Sequence, residues 1–236
     1  MRVENQPGYI LHVRAWRETS LLLEAFSRDH GRVGLLARGV RAPRTRIPRA
    51  SLEPFQLLEL DWAGSGELPN LRAAEMNSVA DRLRGETLLS GLYVNELVVR
   101  LTARQDPHPG LFERYGALLQ ELAATTSLAW TLRRFERDLL AELGYGLLLD
   151  RDASGAPLSA EREYAYVPEH GAVQADPQST GLRIRGAALL ALHRDESPQP
   201  GDLAVLRRML RGVIGAHLGL GELRAWRVLG KAINGK

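Results

Sequence analysis

The residues of this chain with the clearest capacity for chemistry are arginines, five of which lie within twelve positions. The stretch from residue 38 to residue 49 reads RGVRAPRTRIPR and contains no acidic side chain. Its basic residues are Arg38, Arg41, Arg44, Arg46 and Arg49. A guanidinium group is permanently charged, forks onto phosphate oxygens and stacks on flat rings. The stretch therefore predicts a site for a polyanion, although a charge run is also typical of a solvated loop.

The placement of these charges matters more than their number. The chain has 31 basic residues and a net charge of +3, and its only lysines are Lys231 and Lys236. Because a GC-rich genome produces the same bias, richness in arginine alone does not indicate phosphate binding. Pro43 and Pro48 exclude a continuous helix or a central strand, so we expect an extended, flexible loop.

Five short strands are predicted before this loop and after it. They read YILHVRAW, SLLLEAFS, RVGLLAR, FQLLELDW and LRAAEM, separated by turn residues. In the first strand, alternation predicts Ile10, His12 and Arg14 on one face. Close turns favour a small closed barrel of the oligonucleotide-binding (OB) type over an open sheet. In such barrels the face of strands 2 and 3, with its neighbouring loops, holds single-stranded nucleic acid, and the arginine loop leaves the third strand.

The pattern becomes helical from about residue 80, which predicts an α+β protein with two domains. Residues 1–79 would form the OB barrel and residues 80–236 an all-α helical domain. Helices are predicted over residues 81–104, 110–123, 127–143, 184–194 and 202–218, the first of them apolar all round and therefore central and buried. Residues 147–182 gather proline and glycine, which predicts a short irregular or hairpin insert without metal.

Aromatic residues near the basic stretch could stack on bases. Trp16, Tyr9 and Phe26 lie in the first two predicted strands. Rings in the strands of a small barrel are more often core than ligand contacts. A second basic concentration, with Arg207, Arg208, Arg211, Arg224 and Arg227, is better explained by solubility than by a ligand.

No motif of covalent catalysis is present in the sequence. The six histidines are scattered, the chain has no cysteine, and the glycine-rich string from Gly230 to Lys236 lacks the flanking strand and helix of a phosphate loop. We therefore predict no catalytic residue, no metal site and no cofactor. No apolar leader or 18-residue apolar run occurs, so we expect a cytoplasmic protein without membrane contact.

Three strings in register resemble the bacterial RecO family of recombination mediators. They are YILHVRAWRETSLLLEAFSRDHGRVGLLARGVR, SGLYVNELVVRL at 90–101 and LRRFERDLLAELGYG at 132–146. The resemblance implies an OB barrel fused to a helical domain that binds single- and double-stranded DNA and anneals complementary strands without nucleotide. It implies cooperation with RecR in loading RecA onto DNA coated by the single-stranded-DNA-binding protein, at the nucleoid.

The resemblance also implies two sites. Arg38, in the ARG string, would belong to the DNA-binding region, and Arg133, in the LRRFE string, would bind the acidic C-terminal tail of the coating protein. The residues themselves add that an arginine beside an apolar helix face could pair a carboxylate, while the neighbouring helix offers Phe112 and Tyr115. From the residues alone, Arg133 could instead form an ion pair with Glu136. Many family members carry four zinc-binding cysteines in the insert, and this chain has none.

Two other functional classes stay open from the sequence. The chain could be an OB-fold adaptor that binds RNA or protein without annealing activity, with its basic loop solvated. It could also be a nuclease whose carboxylates are assembled from distant residues, which no sequence motif would reveal.

Overall fold

The computed structural model describes residues 2–42, 45–76, 82–175, 182–218 and 223–226. The contacts divide the chain into two units. The first, called here the barrel unit, comprises Met1–Ala124 and Leu223–Lys236, and the second unit comprises Thr125–Glu222.

Five strands of the barrel unit form a closed barrel, as the turn-rich pattern predicts. The strands are β1 (Arg2–Trp16), β2 (Ser20–Ser27), β3 (Gly31–Ala37), β4 (Leu57–Ala63) and β5 (Asn70–Met76), in the order β1-β2-β3-β5-β4. β1 begins earlier than the alternation indicates because its first half pairs with β4 and its second half with β2. This double pairing is what closes the barrel.

A β-bulge in β1 reverses the predicted alternation of its side chains. The register with β2 shifts between Ile10 and His12. Ile10 lies in the barrel core and Val13 packs against the same core, whereas His12 and Arg14 are exposed. The predicted common face of Ile10, His12 and Arg14 is therefore wrong, because one extra residue in a strand exchanges its inner and outer faces.

The core of the barrel is filled by apolar side chains from all five strands. Its members include Ile10, Leu21, Leu23, Val33, Leu35, Leu58, Leu60, Trp62 and Leu71. Burial of each such side chain contributes roughly 1.5–3 kcal/mol to the free energy of unfolding, so the core stabilises the barrel that carries the surface loops.

The described part of the barrel unit also contains a 3₁₀ helix, Arg49–Leu52, and the helices α1 (Gly85–Leu101) and α2 (Pro109–Ala124). The prediction that α1 is buried all round is wrong. Val94, Leu97 and Val98 are buried, but Leu88 and Leu92 are 38% and 45% exposed. The main neighbours of α1 are β1 and α2, and they leave Leu88 and Leu92 exposed.

The second unit combines three described helices with a small sheet. The helices are α3 (Leu128–Glu142), α4 (Gly186–Arg194) and α5 (Pro200–Leu218), and the strands are β6 (Glu163–Val167), β7 (Gly171–Gln174) and β8 (Arg183–Arg185). The predicted hairpin is the pair β6–β7, but β8 extends it to an antiparallel sheet of order β7-β6-β8. β8 occupies the start of a predicted helix because Ile184 pairs with Tyr164 and both side chains are buried. Within the described ranges, no helix has the length and apolar character needed to cross a bilayer.

Candidate nucleic-acid interface

The loop that follows β3 and the beginning of β5 enclose a shallow groove of about 390 Å³, called here the basic groove. Its lining residues are Arg38, Gly39, Ala42, Thr45, Arg46, Ile47, Asn70, Leu71 and Arg72. Three arginines thus surround one surface depression on the barrel.

The described parts of this loop are anchored to the barrel, which differs from the extended arm that its prolines predict. The side chains of Val40 and Ile47 are buried in the barrel core. The backbone N–H of Arg41 donates to the carbonyl of Thr19 in the β1–β2 turn, at 3.0 Å. The Thr45 hydroxyl accepts a hydrogen bond from the Ile47 N–H at 3.2 Å and donates to its carbonyl at 2.9 Å. Apolar residues between the arginines therefore hold the charged ones at fixed places.

The described arginines of the basic stretch and Arg72 carry uncompensated charge. Arg38, Arg41, Arg46, Arg49 and Arg72 are all exposed, and none of them forms an ion pair within the ranges that the structure describes. Arg44 lies outside the described residues. Unneutralised guanidinium groups on one surface create a positive potential that attracts polyanions.

Two other arginines of the barrel unit, Arg32 and Arg104, behave differently, because a carboxylate neutralises them. Glu24 binds both Arg32 and Arg104, the latter through two hydrogen bonds of 3.2 and 2.7 Å. This pairing raises the pKa of Arg104, the hydrogen bond to Glu24 being the largest cause.

Among the described residues, no three histidine, aspartate or glutamate side chains converge as metal ligands would.

Arg72 belongs to the groove although the basic stretch does not contain it. β3 and β5 pair in parallel where Leu36 meets Asn70, so the chain leaving β3 runs beside the start of β5. Leu71 points into the core and Arg72 is exposed next to it. The alternation of LRAAEM indicates an outward arginine, but only the adjacency of β3 and β5 brings it to the groove.

The three rings considered for stacking lie in different environments. Tyr9 and Phe26 are buried and pack on α2, with Tyr9 5.2 Å from Phe112 and Phe26 6.1 Å from Tyr115 between ring centroids. Trp16, at the end of β1, is 37% exposed. Two of these rings are therefore core, as burial tendencies predict, and one is not.

The residues predicted for the acidic tail are distributed over both units, and all are buried. Phe112 and Tyr115 belong to the barrel unit, where burial raises the pKa of Tyr115 well above its usual value. Arg133 lies in the second unit and forms an ion pair with Glu136, the alternative that the helical spacing left open. The Nε of Arg133 has no hydrogen-bond partner among the described residues. A tail-binding role for the three residues stays a prediction.

Comparisons with known proteins agree with the motifs in the sequence. Residues 1–79 match the family model "Recombination protein O N terminal", and residues 82–227 match "Recombination protein O C terminal". Relatives named DNA repair protein RecO occur in Xanthomonas euvesicatoria pv. vesicatoria, 46% identical over 233 residues, and in Stenotrophomonas maltophilia K279a, 46% identical over 232 residues. Each alignment covers 97% of both chains. The chain therefore belongs to the RecO family of DNA repair proteins.

Proposed function

We propose that the barrel unit binds DNA, single- and double-stranded, through the phosphates of its backbone, and that the basic groove is the contact. The observation that carries this proposal is the set of exposed arginines, Arg38, Arg46 and Arg72, which surround one groove without a carboxylate partner in the described ranges. Guanidinium groups bind phosphate oxygens in any sequence context, so we expect little sequence specificity.

The finer role that we propose is that of a recombination mediator. The chain would anneal complementary strands without nucleotide and help to load RecA, together with RecR, onto DNA coated by the single-stranded-DNA-binding protein. Support comes from membership of the RecO family and from relatives named DNA repair proteins. Binding of the acidic tail by Phe112, Tyr115 and Arg133 stays a prediction, and the burial of these three side chains gives it no support.

Charge removal in the groove provides the test. The triple variant Arg38→Ala, Arg46→Ala and Arg72→Ala is compared with a control that loses three exposed arginines elsewhere, Arg100, Arg151 and Arg162. Binding of a fluorescent single-stranded oligonucleotide is followed by anisotropy between 50 and 200 mM KCl. If about four arginines each neutralise one phosphate, wild-type affinity falls on the order of fifty-fold over this range.

We expect the groove variant to bind at least about tenfold more weakly at 50 mM KCl and to show a slope lower by about 2 in log affinity against log salt. The control, with the same net charge, should keep the wild-type slope. Annealing of two labelled complementary strands without nucleotide should slow in the groove variant only. Equal affinity and slope in the two variants would refute the groove as the DNA site.

A further inference from the structure

The outer surface of β1, β2 and β3 carries a continuous row of side chains beside the basic groove. Trp16 pairs with Ser20, and Arg14 pairs with Leu22, which in turn pairs with Leu36. Residues paired across antiparallel strands point to the same side of the sheet. The alternate residues Leu21, Leu23, Leu35 and Ala37 fill the barrel core. Trp16, Arg14, Leu22 and Leu36 therefore point outward together.

This outer face continues into the arginine loop. Leu21 pairs with Ala37, the last residue of β3, so Ser20 and Arg38 come next along the two chain segments. Arg38 is exposed and follows the buried Ala37. On the opposite side of β2, Trp16 of β1 pairs with Ser20. The Arg41 N–H bond to Thr19 holds the loop against the same turn. Trp16 and Arg38 thus flank Ser20 at the same end of the three strands.

Trp16 is unusual among the tryptophans that the structure describes. Trp62, Trp130 and Trp226 are all at most 9% exposed, whereas Trp16 is 37% exposed. Its neighbour on the outer face, Arg14, is exposed and has no ion pair among the described residues. An exposed indole beside uncompensated guanidinium groups offers a ring face for a base and charge for the adjoining phosphates.

We propose that Trp16 is a base-stacking residue for single-stranded nucleic acid whose phosphates occupy the basic groove. The inference rests on the proposed DNA binding and adds to it a contact with the bases. The occupant follows from charge complementarity, because the face next to Trp16 is basic. The bases of a duplex are already stacked on one another, so this contact favours single strands over duplexes.

Three oligonucleotides of equal length separate stacking from charge: oligo(dT), an abasic single strand and a duplex. Trp16→Ala should bind oligo(dT) about tenfold more weakly than wild type, since stacking on one base is typically worth this much. It should bind the abasic strand and the duplex like wild type. Trp16→Phe should retain most of the affinity for oligo(dT). Tyr145→Ala serves as control, because Tyr145 is an exposed ring of the second unit.

Tryptophan fluorescence gives a second reading that does not require a change in affinity. Oligo(dT) should quench the emission of wild type, and the quench should disappear in Trp16→Phe, whose remaining described tryptophans are buried. The inference is overturned if Trp16→Ala binds oligo(dT) like wild type, or loses affinity equally for oligo(dT) and the abasic strand. Failure of the proposed function looks different: the groove variant and its control would then bind oligo(dT) with equal affinity and equal salt slope, whatever the result for Trp16→Ala.

Discussion

At the scale of single residues, one buried amide connects a strand and two helices of the barrel unit. Asn95 Nδ2 in α1 donates to the carbonyl of Leu11 at 2.9 Å, and its Oδ1 accepts from the Tyr115 hydroxyl of α2 at 2.6 Å. Leu11 lies at the bulge of β1, where the ladder with β2 is interrupted. The Asn95 side chain therefore supplies a partner for a backbone carbonyl at this interruption.

Replacement of this amide should destabilise the barrel unit more than removal of the Tyr115 hydroxyl. Asn95→Leu leaves a buried carbonyl and a buried hydroxyl without their partner, and we expect the unfolding free energy to fall by about 2–4 kcal/mol. Tyr115→Phe leaves only the buried Asn95 Oδ1 without its donor and should cost about half as much, roughly 1–2 kcal/mol. Urea denaturation followed by circular dichroism measures both. A larger loss in Tyr115→Phe than in Asn95→Leu would contradict this account.

Single-residue roles were the part of the site that the sequence could predict least. The arginine-rich stretch is visible as a run of charge, and Arg38, Arg41, Arg46 and Arg49 are exposed as a binding surface requires. Arg72 could not be predicted for the groove, because it enters through a parallel pairing of β3 with β5. The exposure of Trp16 depends on which strands lie beside the end of β1, and the local sequence does not specify that.

At the scale of elements, Asp195 joins two helices of the second unit. It ends α4 with φ of +62°, in the left-handed region. Its carboxylate accepts hydrogen bonds from Arg134 Nε at 2.8 Å and Nη2 at 2.7 Å. Arg137 Nη1 forms an ion pair with Asp195 Oδ1 at 3.0 Å. The hydrogen bond from Arg134 is the largest cause that lowers the pKa of Asp195. Both arginines belong to α3, so one helix end is fixed to the side of another.

Stability should depend on pH through this contact. A carboxyl whose folded pKa lies below its unfolded value of about 3.9 stabilises the fold above that value, and the contribution is lost as pH falls through the folded pKa. Asp195→Asn removes the charge but tolerates a left-handed backbone. We expect its urea midpoint to lie below that of wild type at pH 7, and the difference to shrink below about pH 4.

The control for this measurement is Glu169→Gln, which removes an exposed carboxylate that also has a positive φ of +65°. Its midpoint should follow wild type at both pH values. A gap between Asp195→Asn and wild type that is as large at pH 3 as at pH 7 would mean that the charge of Asp195 does not stabilise the unit.

Elements were largely predictable because each has a strong local signal. The strands β2 to β5 and the helices α2, α3 and α5 lie within a few residues of their predicted ranges, since turn residues and apolar periods mark them, whereas β1 begins seven residues before its predicted start. The β1 bulge and the strand β8 were missed because both depend on partners distant in the sequence: Leu11 bonds to Asn95 of α1, and Ile184 pairs with Tyr164 of β6. The exposed side of α1 likewise depends on which neighbours cover it.

At the scale of the whole molecule, the chain returns to the barrel unit after forming the second unit. The backbone N–H groups of Arg224 and Ala225 donate to the two carboxylate oxygens of Glu96 in α1, at 2.7 and 2.8 Å. A predicted division at residue 79 separates strands from helices, whereas the contacts group α1 and α2 with the barrel. Glu96 thus connects α1 to a segment that lies more than a hundred positions later in the sequence.

Release of this returning segment should be visible in hydrogen exchange. Glu96→Ala removes both acceptors, so we expect the amides of Arg224 and Ala225 to exchange at least about tenfold faster, as the loss of a charge-assisted bond of 1.5–3 kcal/mol implies. Glu96→Gln keeps one acceptor oxygen and should give an intermediate rate. Glu86→Ala, on the same helix, is the control. Mass spectrometry of peptides covering 223–226 measures the rates, and unchanged exchange in Glu96→Ala would mean that other contacts hold the segment.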